Sequence, residues 1–234
     1  MTLLALETAT DTCGVALLEG DAVAAETHLH RPRVHSRLLT PLVEETLQSA
    51  DVDSADLDAV AVSMGPGSYT GLRIGVSTAK GWALAAGADL VGVPTLEAYA
   101  AQLRPVVRPQ DVVCVLFDAR RDEVYAGAFR GGSEEWGQHA ETKALTVDAL
   151  PGWLGEFEGH LWLLGDGVEK SRHAFSETGG DRTIVSPSDV PASASWVGRC
   201  GAQRLAVDGP DDLESFEPLY VKEVHATPAP SPFA

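Results

Sequence analysis

The sequence predicts an α/β protein made of two lobes by duplication, each lobe a mixed sheet with flanking helices. Three observations predict it. First, one order of elements can be read twice along the 234 residues: three strands, a helix, a strand, a helix, a strand and a helix. Second, each half opens with an apolar run that ends in an acid, Glu7 after LLAL and Asp118 after VVCVLF. Third, each half carries a glycine turn after its fourth strand, Gly65-Pro66-Gly67 and Gly165-Asp166-Gly167. The repeat is of elements, not of residues. Strands joined by turns pair antiparallel and strands joined through a helix pair parallel, so each sheet is mixed.

The elements follow in order. Residues 3–8, 15–18 and 22–29 are short β-rich runs separated by Gly and Asp turns, which read as a meander. Leu38, Leu39, Leu42, Val43 and Leu47 share one face at helical spacing and predict a helix within 36–50. Its start is open between Ser36 as cap, with a kink at Pro41, and Thr40 as cap, with Pro41 in the first turn. Residues 58–64 predict a buried strand, about 70–86 a helix, 90–94 a strand and 95–103 a short helix. The second half gives strands at 112–117, 123–129 and 138–146, then a helix within 147–157 weakened by Pro151 and Gly152. A strand at 160–164, a helix, a short strand at 183–185 and a last helix near 193–207 complete it. The lobe boundary is placed near Pro105 and Pro109, giving lobes over 1–104 and 105–225. Residues 226–234 (ATPAPSPFA) read as a flexible Pro-rich tail.

Charge and composition exclude several classes. Seventeen basic against thirty-four acidic residues leave a net −17, so the chain alone is a poor partner for a phosphate backbone. The three cysteines, Cys13, Cys114 and Cys200, are widely spaced and signal neither a disulfide framework nor a zinc site. The N-terminus lacks a basic stretch and turns polar at Glu7, so it reads as a first strand and not as a leader. No apolar run reaches about 18 residues, so no membrane span is expected and the cytoplasm is the expected location.

The stretch GPGSYTGLRIG carries the most chemistry. A glycine turn between a strand and a helix exposes amides at a helix N-terminus, which suits an anion. Gly65, Gly67, Ser68 and Thr70 are therefore candidate nucleotide or anion contacts. The spacing matches neither the P-loop nor the dinucleotide fingerprint, and a plain structural turn is the alternative. Along the helix that follows, Gly71, Gly75, Ala79 and Ala83 lie four apart and form one small-residue face. A closely approaching partner, internal or a second chain, would offset the cost of glycine in a helix. Beside the leucine stripe of 36–50, that face is expected to form an apolar patch for a like-folded partner, through Leu38, Leu39, Leu42, Gly71, Arg73, Gly75 and Ala79.

Five stretches together resemble the TsaB (YeaZ) family of the bacterial threonylcarbamoyladenosine tRNA-modification system. They are LLALETATDTCGVAL, HSRLLTPLVEETL (35–47), GPGSYTGLRIGVSTAKGWALA (65–85), VPTLEAYA (93–100) and DARRDEVYAGAF (118–129). The resemblance implies the duplicated ribonuclease-H-like lobes of actin and Hsp70. It implies a non-catalytic scaffold that pairs with the homologous transferase TsaD and works with the ATPase TsaE. A homodimer through the same surface is a further expectation. It also implies that tRNA is met only through the complex and that ATP and magnesium are used there, with no cofactor on this chain alone. TsaD carries an H-x-x-x-H metal signature, and the matching place here reads Arg31-Pro-Arg-Val-His35, so no metal is expected. His28 and His30 are read as facing opposite sides of a strand. Glu7 and Asp118 fall where ATPases of this fold hold magnesium, and are read as structural or vestigial acids. His173 and Ser176 lack a third group to orient them, so no serine nucleophile is expected. The rival functions are a small-molecule kinase or ATPase of the same fold and, more remotely, a metalloprotease.

Overall fold

In the computed structural model, residues 1–131, 136–176, 182–185 and 190–222 are described. The Pro-rich stretch 226–234 lies outside them. The first half builds β1 (Thr2–Glu7), β2 (Thr12–Glu19), β3 (Ala22–His30), α1 (His35–Ser49), β4 (Ala59–Gly65), α2 (Tyr69–Ala86), β5 (Asp89–Pro94) and α3 (Thr95–Ala101). The second builds β6 (Val112–Asp118), β7 (Glu123–Arg130), β8 (Gly137–Thr146), α4 (Leu150–Gly155) and β9 (Leu161–Leu164). It ends with α5 (Gly167–Lys170), α6 (Arg172–Ser176), β10 (Thr183–Val185) and α7 (Ala194–Asp208). No described helix is long and apolar enough to cross a membrane.

The duplication is visible in the sheets. One has the order β3-β2-β1-β4-β5 and the other β8-β7-β6-β9-β10, the same arrangement twice. In each, the first three strands pair antiparallel and the last two join parallel. Strands β1, β4 and β6 are buried almost throughout, which is why they read as unbroken apolar runs and not as alternating ones.

Two local features depart from expectation. Helix α1 starts at His35 with Val34 before it, so neither Ser36 nor Thr40 caps it, and Pro41 sits inside the helix. Leu39, Leu42, Val43 and Leu47 still bury into the core, and that packing outweighs the missing backbone bond at Pro41. The single helix expected within 147–157 is a 3₁₀ turn, Val147–Ala149, followed by α4.

The lobe boundary also needs correction. Helix α7 is late in sequence but packs on the first sheet. Ala194, Val197 and Cys200 share a core with Leu3, Ala5, Leu18, Ala61 and Val93. Gly201 permits the close approach, because a Cβ there would stand 2.7 Å from the Ala61 methyl. The chain after α7 stays with that lobe as a strap. Asp211 N donates to the Leu90 carbonyl, Phe216 enters the first core, and Leu219 N donates to the Met64 carbonyl at 2.7 Å. The first lobe is therefore completed by residues 194–220, and a division at 104 with everything later in the second lobe does not describe the packing.

Candidate functional site

Between the lobes, the tips of β1, β4 and β6 face each other across two adjoining hollows of about 450 and 460 Å³. Both are lined by Gly67, Tyr69, Ala119, Arg120 and Tyr125. The two acids that end the first strands meet this cleft differently. Glu7 is buried, and its Oε1 accepts from Ala9 N at 2.9 Å, Thr10 N at 3.1 Å and the Thr10 hydroxyl at 3.2 Å. Burial pushes its carboxyl up to about 7 against those hydrogen bonds. It ties a turn beneath the cleft and does not line it.

Asp118 does line the cleft. Its Oδ1 accepts from Lys170 Nζ at 2.6 Å and from Arg120 N at 2.8 Å. Partial burial pushes this carboxyl up, but the Lys170 ammonium and the Arg120 amide outweigh it and hold the group below its ordinary value. Beside it, Asp166 Oδ1 accepts from Asp118 N, and burial together with the Asp118 and Asp11 charges pushes Asp166 up. Asp11, Asp118 and Asp166 share this hollow with Arg120, and Lys170 pairs with Asp118, so the charge there is mixed. Among the described residues no cluster of three or more His, Cys, Asp or Glu is arranged to hold a metal ion.

Two of the four amides expected to cradle an anion, those of Gly65 and Ser68, are committed elsewhere. Gly65 N donates to the Thr95 hydroxyl at 3.0 Å, Ser68 N to the Ala9 carbonyl at 2.7 Å, and Gly71 N to Ser68 Oγ at 3.3 Å. Gly65 is covered by the strap, since a Cβ there would run into the Leu219 carbonyl. Of the four candidate contacts, Gly67, Ser68 and Thr70 reach the cleft, Gly65 does not, and the Ser68 hydroxyl serves as the α2 cap.

The small-residue face of α2 points inward, which overturns the expectation that it is open. Gly71 and Gly75 are pressed on Thr8, where a Cβ would collide with its carbonyl and its hydroxyl respectively. Ala79 and Ala83 are fully buried. Leu39 and Leu42 belong to the core. Of the seven residues expected at a partner surface, only Arg73 is exposed and Leu38 half-buried. The outward side of the α1–α2 pair is formed instead by a shallow groove of about 310 Å³ lined by Thr40, Thr78, Gly81, Trp82 and Ala85. Leu84, 72% exposed, stands one residue before Ala85 on the same helix.

The histidines serve locally. His35 is buried, with Nε2 3.1 Å from the Thr12 carbonyl, while Arg31 is exposed. His28 and His30 lie on the same side of β3, ring centroids 5.9 Å apart, because residues two apart on a strand share a face. His28 Nε2 receives the Ala194 amide and His30 Nδ1 lies 3.2 Å from the Thr12 hydroxyl. His173 and Ser176 fall in the short helix α6, and the ETGG that follows them (177–180) is outside the described residues.

Sequence reasoning missed the lysines that fasten the cleft. Lys170 holds Asp118, Lys222 donates to the Ala119 carbonyl and Glu123, and Lys80 donates to the Glu214 and Phe216 carbonyls of the strap. A signal was present: lysine occurs four times in the chain, and three of the four make these ties.

Two ribonuclease-H-like lobes of this topology, with a cleft between them, define a protein of the actin and Hsp70 fold class. A hexokinase of the ROK type from Thermus thermophilus shares the fold alone, with a TM-score of 0.53 and 12% identity over 88% of this chain and all of that one. A family model described as TsaD, tRNA N6-adenosine threonylcarbamoyltransferase, matches residues 23–158. The chain is 36% identical to the "tRNA threonylcarbamoyladenosine biosynthesis protein TsaB" of Escherichia coli, over 95% of each sequence. It is 39% identical to the TsaB of Bacillus subtilis over 56% of each. The solved structure "YeaZ from Pseudomonas aeruginosa" superposes with a TM-score of 0.80 at 26% identity, covering 94% of this chain and 99% of that one. The chain belongs to the TsaB (YeaZ) family.

Proposed function

We propose that this chain takes part in threonylcarbamoyladenosine biosynthesis on tRNA as a non-catalytic subunit, holding a TsaD homologue through the outer side of α1 and α2. The names of the relatives support the pathway. The observation that carries the non-catalytic reading is the fate of the paired acids. Glu7 is consumed by a turn and does not reach the cleft, so Asp118, itself paired with Lys170, stands without its counterpart where two acids would position magnesium on a nucleotide. The open groove at Gly81 and Trp82, with Leu84 beside it, offers an apolar surface to a like-folded chain. A homodimer would compete for the same side. TsaE, ATP and magnesium would act in the assembled complex, and tRNA would be held mainly by the partners, because a net charge of −17 repels it.

Gly81→Arg tests the reading. A Cβ at Gly81 meets nothing within 4 Å, so the fold tolerates the change and gains up to about 1 kcal/mol of helix propensity. Co-purification with the TsaD homologue and light scattering should both show lost association while circular dichroism is unchanged. Intact association in Gly81→Arg and in Leu84→Glu would remove this surface from consideration. Magnesium-dependent ATP turnover by the isolated chain would favour the kinase alternative instead.

A further inference from the structure

At the end of β1 remote from the cleft lies a second cavity, of about 590 Å³, larger than either interlobe hollow. It is bounded by the β2–β3 turn, the chain after α3 and the exposed side of α7. Its floor is apolar, from Leu18, Ala101 and Cys200, all buried. Trp196 walls one side, and Arg199 and Arg104 bring positive charge to the mouth.

The arginine at position 199 is unusual in so acidic a chain. Its guanidinium lies 5.6 Å from the Trp196 ring centroid, and Nη1 donates to the Asp21 carbonyl at 3.0 Å. No ion pair among the described residues includes it, although the Asp21 carboxyl stands at the same mouth. A guanidinium has five N–H donors, and a backbone carbonyl and a ring face leave most of its charge uncompensated. Packing on the indole fixes the side chain in place before any ligand arrives.

We propose that this cavity binds a small organic acid with a flat apolar body and a single carboxylate. The body would lie against Trp196 and Leu18, and the carboxylate would meet Arg199. Three observations converge on that chemistry. The volume is that of a small-molecule site. The interior is apolar and offers an aromatic wall. The entrance sets the two guanidinium groups of Arg199 and Arg104 against the carboxylate of Asp21, in a protein with twice as many acids as bases. The site is separate from the α1–α2 surface, so its test does not depend on the proposed partner.

Indole-3-acetate is a suitable probe, with tryptamine as its cationic counterpart and indole as the neutral one. Each is titrated into the full-length protein, reading the Trp196 indole N–H by nitrogen-edited NMR, assigned through Trp196→Phe. The expected result is saturable shifts at Trp196 in the order indole-3-acetate, indole, tryptamine. Arg199→Ala should weaken indole-3-acetate about tenfold, the loss expected for one charge-assisted contact at a half-open site. Arg199→Lys should restore part of the affinity, and all three variants should keep the native circular dichroism. The proposal is overturned if the probes show no charge preference, if Arg199→Ala binds as the parent does, or if Trp196 shows no saturable shift up to millimolar probe. Saturable binding only by a longer acidic peptide would equally overturn it, assigning the cavity to a protein partner.

Discussion

Glu7 and Asp118 close the first strands of the two lobes, at equivalent places in equivalent sheets, yet they are different chemical objects. Glu7 is enclosed, bonded to backbone and hydroxyl donors without a cation, and half protonated near neutrality. Asp118 is about half exposed, meets an ammonium at 2.6 Å and stays ionised. The difference lies in what packs beside each strand tip. In the first lobe α2 presses its glycines on Thr8 and shuts water out around Glu7. In the second lobe the corresponding helix is the four-residue α5, whose Lys170 reaches Asp118 directly. Duplication of a fold therefore does not duplicate the electrostatics of a position; the length and closeness of the neighbouring helix set that.

The most forceful way to break the contrast is to push α2 away from β1. Gly75→Leu places side-chain atoms where Thr8 already is, and the first lobe should lose about 3 kcal/mol or more. Thermal unfolding measures it. An unchanged midpoint would mean that α2 does not sit this close to the strand tip.

Neutralising the buried acid sharpens the contrast. The folded carboxyl of Glu7 titrates near 7, above its ordinary 4.5, so between those values the folded state holds more protons than the unfolded one. Stability therefore falls as pH rises from about 4.5 to about 7 and levels beyond, by about 3 kcal/mol in total. Glu7→Gln keeps an acceptor for Ala9 and Thr10 and should flatten that part of the profile, with a gain of about 2 kcal/mol at pH 8. Urea unfolding across pH checks this, and a variant that loses stability at pH 8 would contradict it.

The smallest effect is expected in the other lobe. Asp118→Asn removes an ion pair that solvent already screens, and should cost less than about 1 kcal/mol. Because the folded carboxyl is depressed, this small contribution is present at neutral pH and disappears as pH falls through the carboxylate range. A loss at neutral pH as large as that of Gly75→Leu would erase the distinction between the two acids.

The sequence made the duplication legible because strand runs, glycine turns and the terminal acids are local signals. The core face of α1 was legible for the same reason: its leucines recur at helical spacing whether or not Pro41 interrupts the ladder. The direction of the α2 glycine face was not legible. Gly71 and Gly75 say that something comes close, and only the placement of Thr8 says that it is internal. The membership of α7 was hidden for a related reason. Nothing in Ala194, Val197 or Gly201 states which of two similar sheets they will cover. The ties of Lys80, Lys170 and Lys222 span 47 to 136 residues of sequence, beyond the reach of any periodicity.

The return of α7 to the first sheet sets an order of events during synthesis. When residues 1–104 have left the ribosome, the face of their sheet at Leu3, Ala5, Leu18 and Val91 has only Ala98 and Ala101 of α3 to pack on it. The helix that covers it is encoded about ninety residues later. The second lobe draws one core from residues between 112 and 175 and the other also from Leu96, Tyr99, Ala100, Val107 and Ala192, and its edge strand β10 is also encoded before α7, so its parts are in hand first. The lobe whose strands are made first is thus the one that finishes last. Until then its uncovered face is a natural target for holding chaperones.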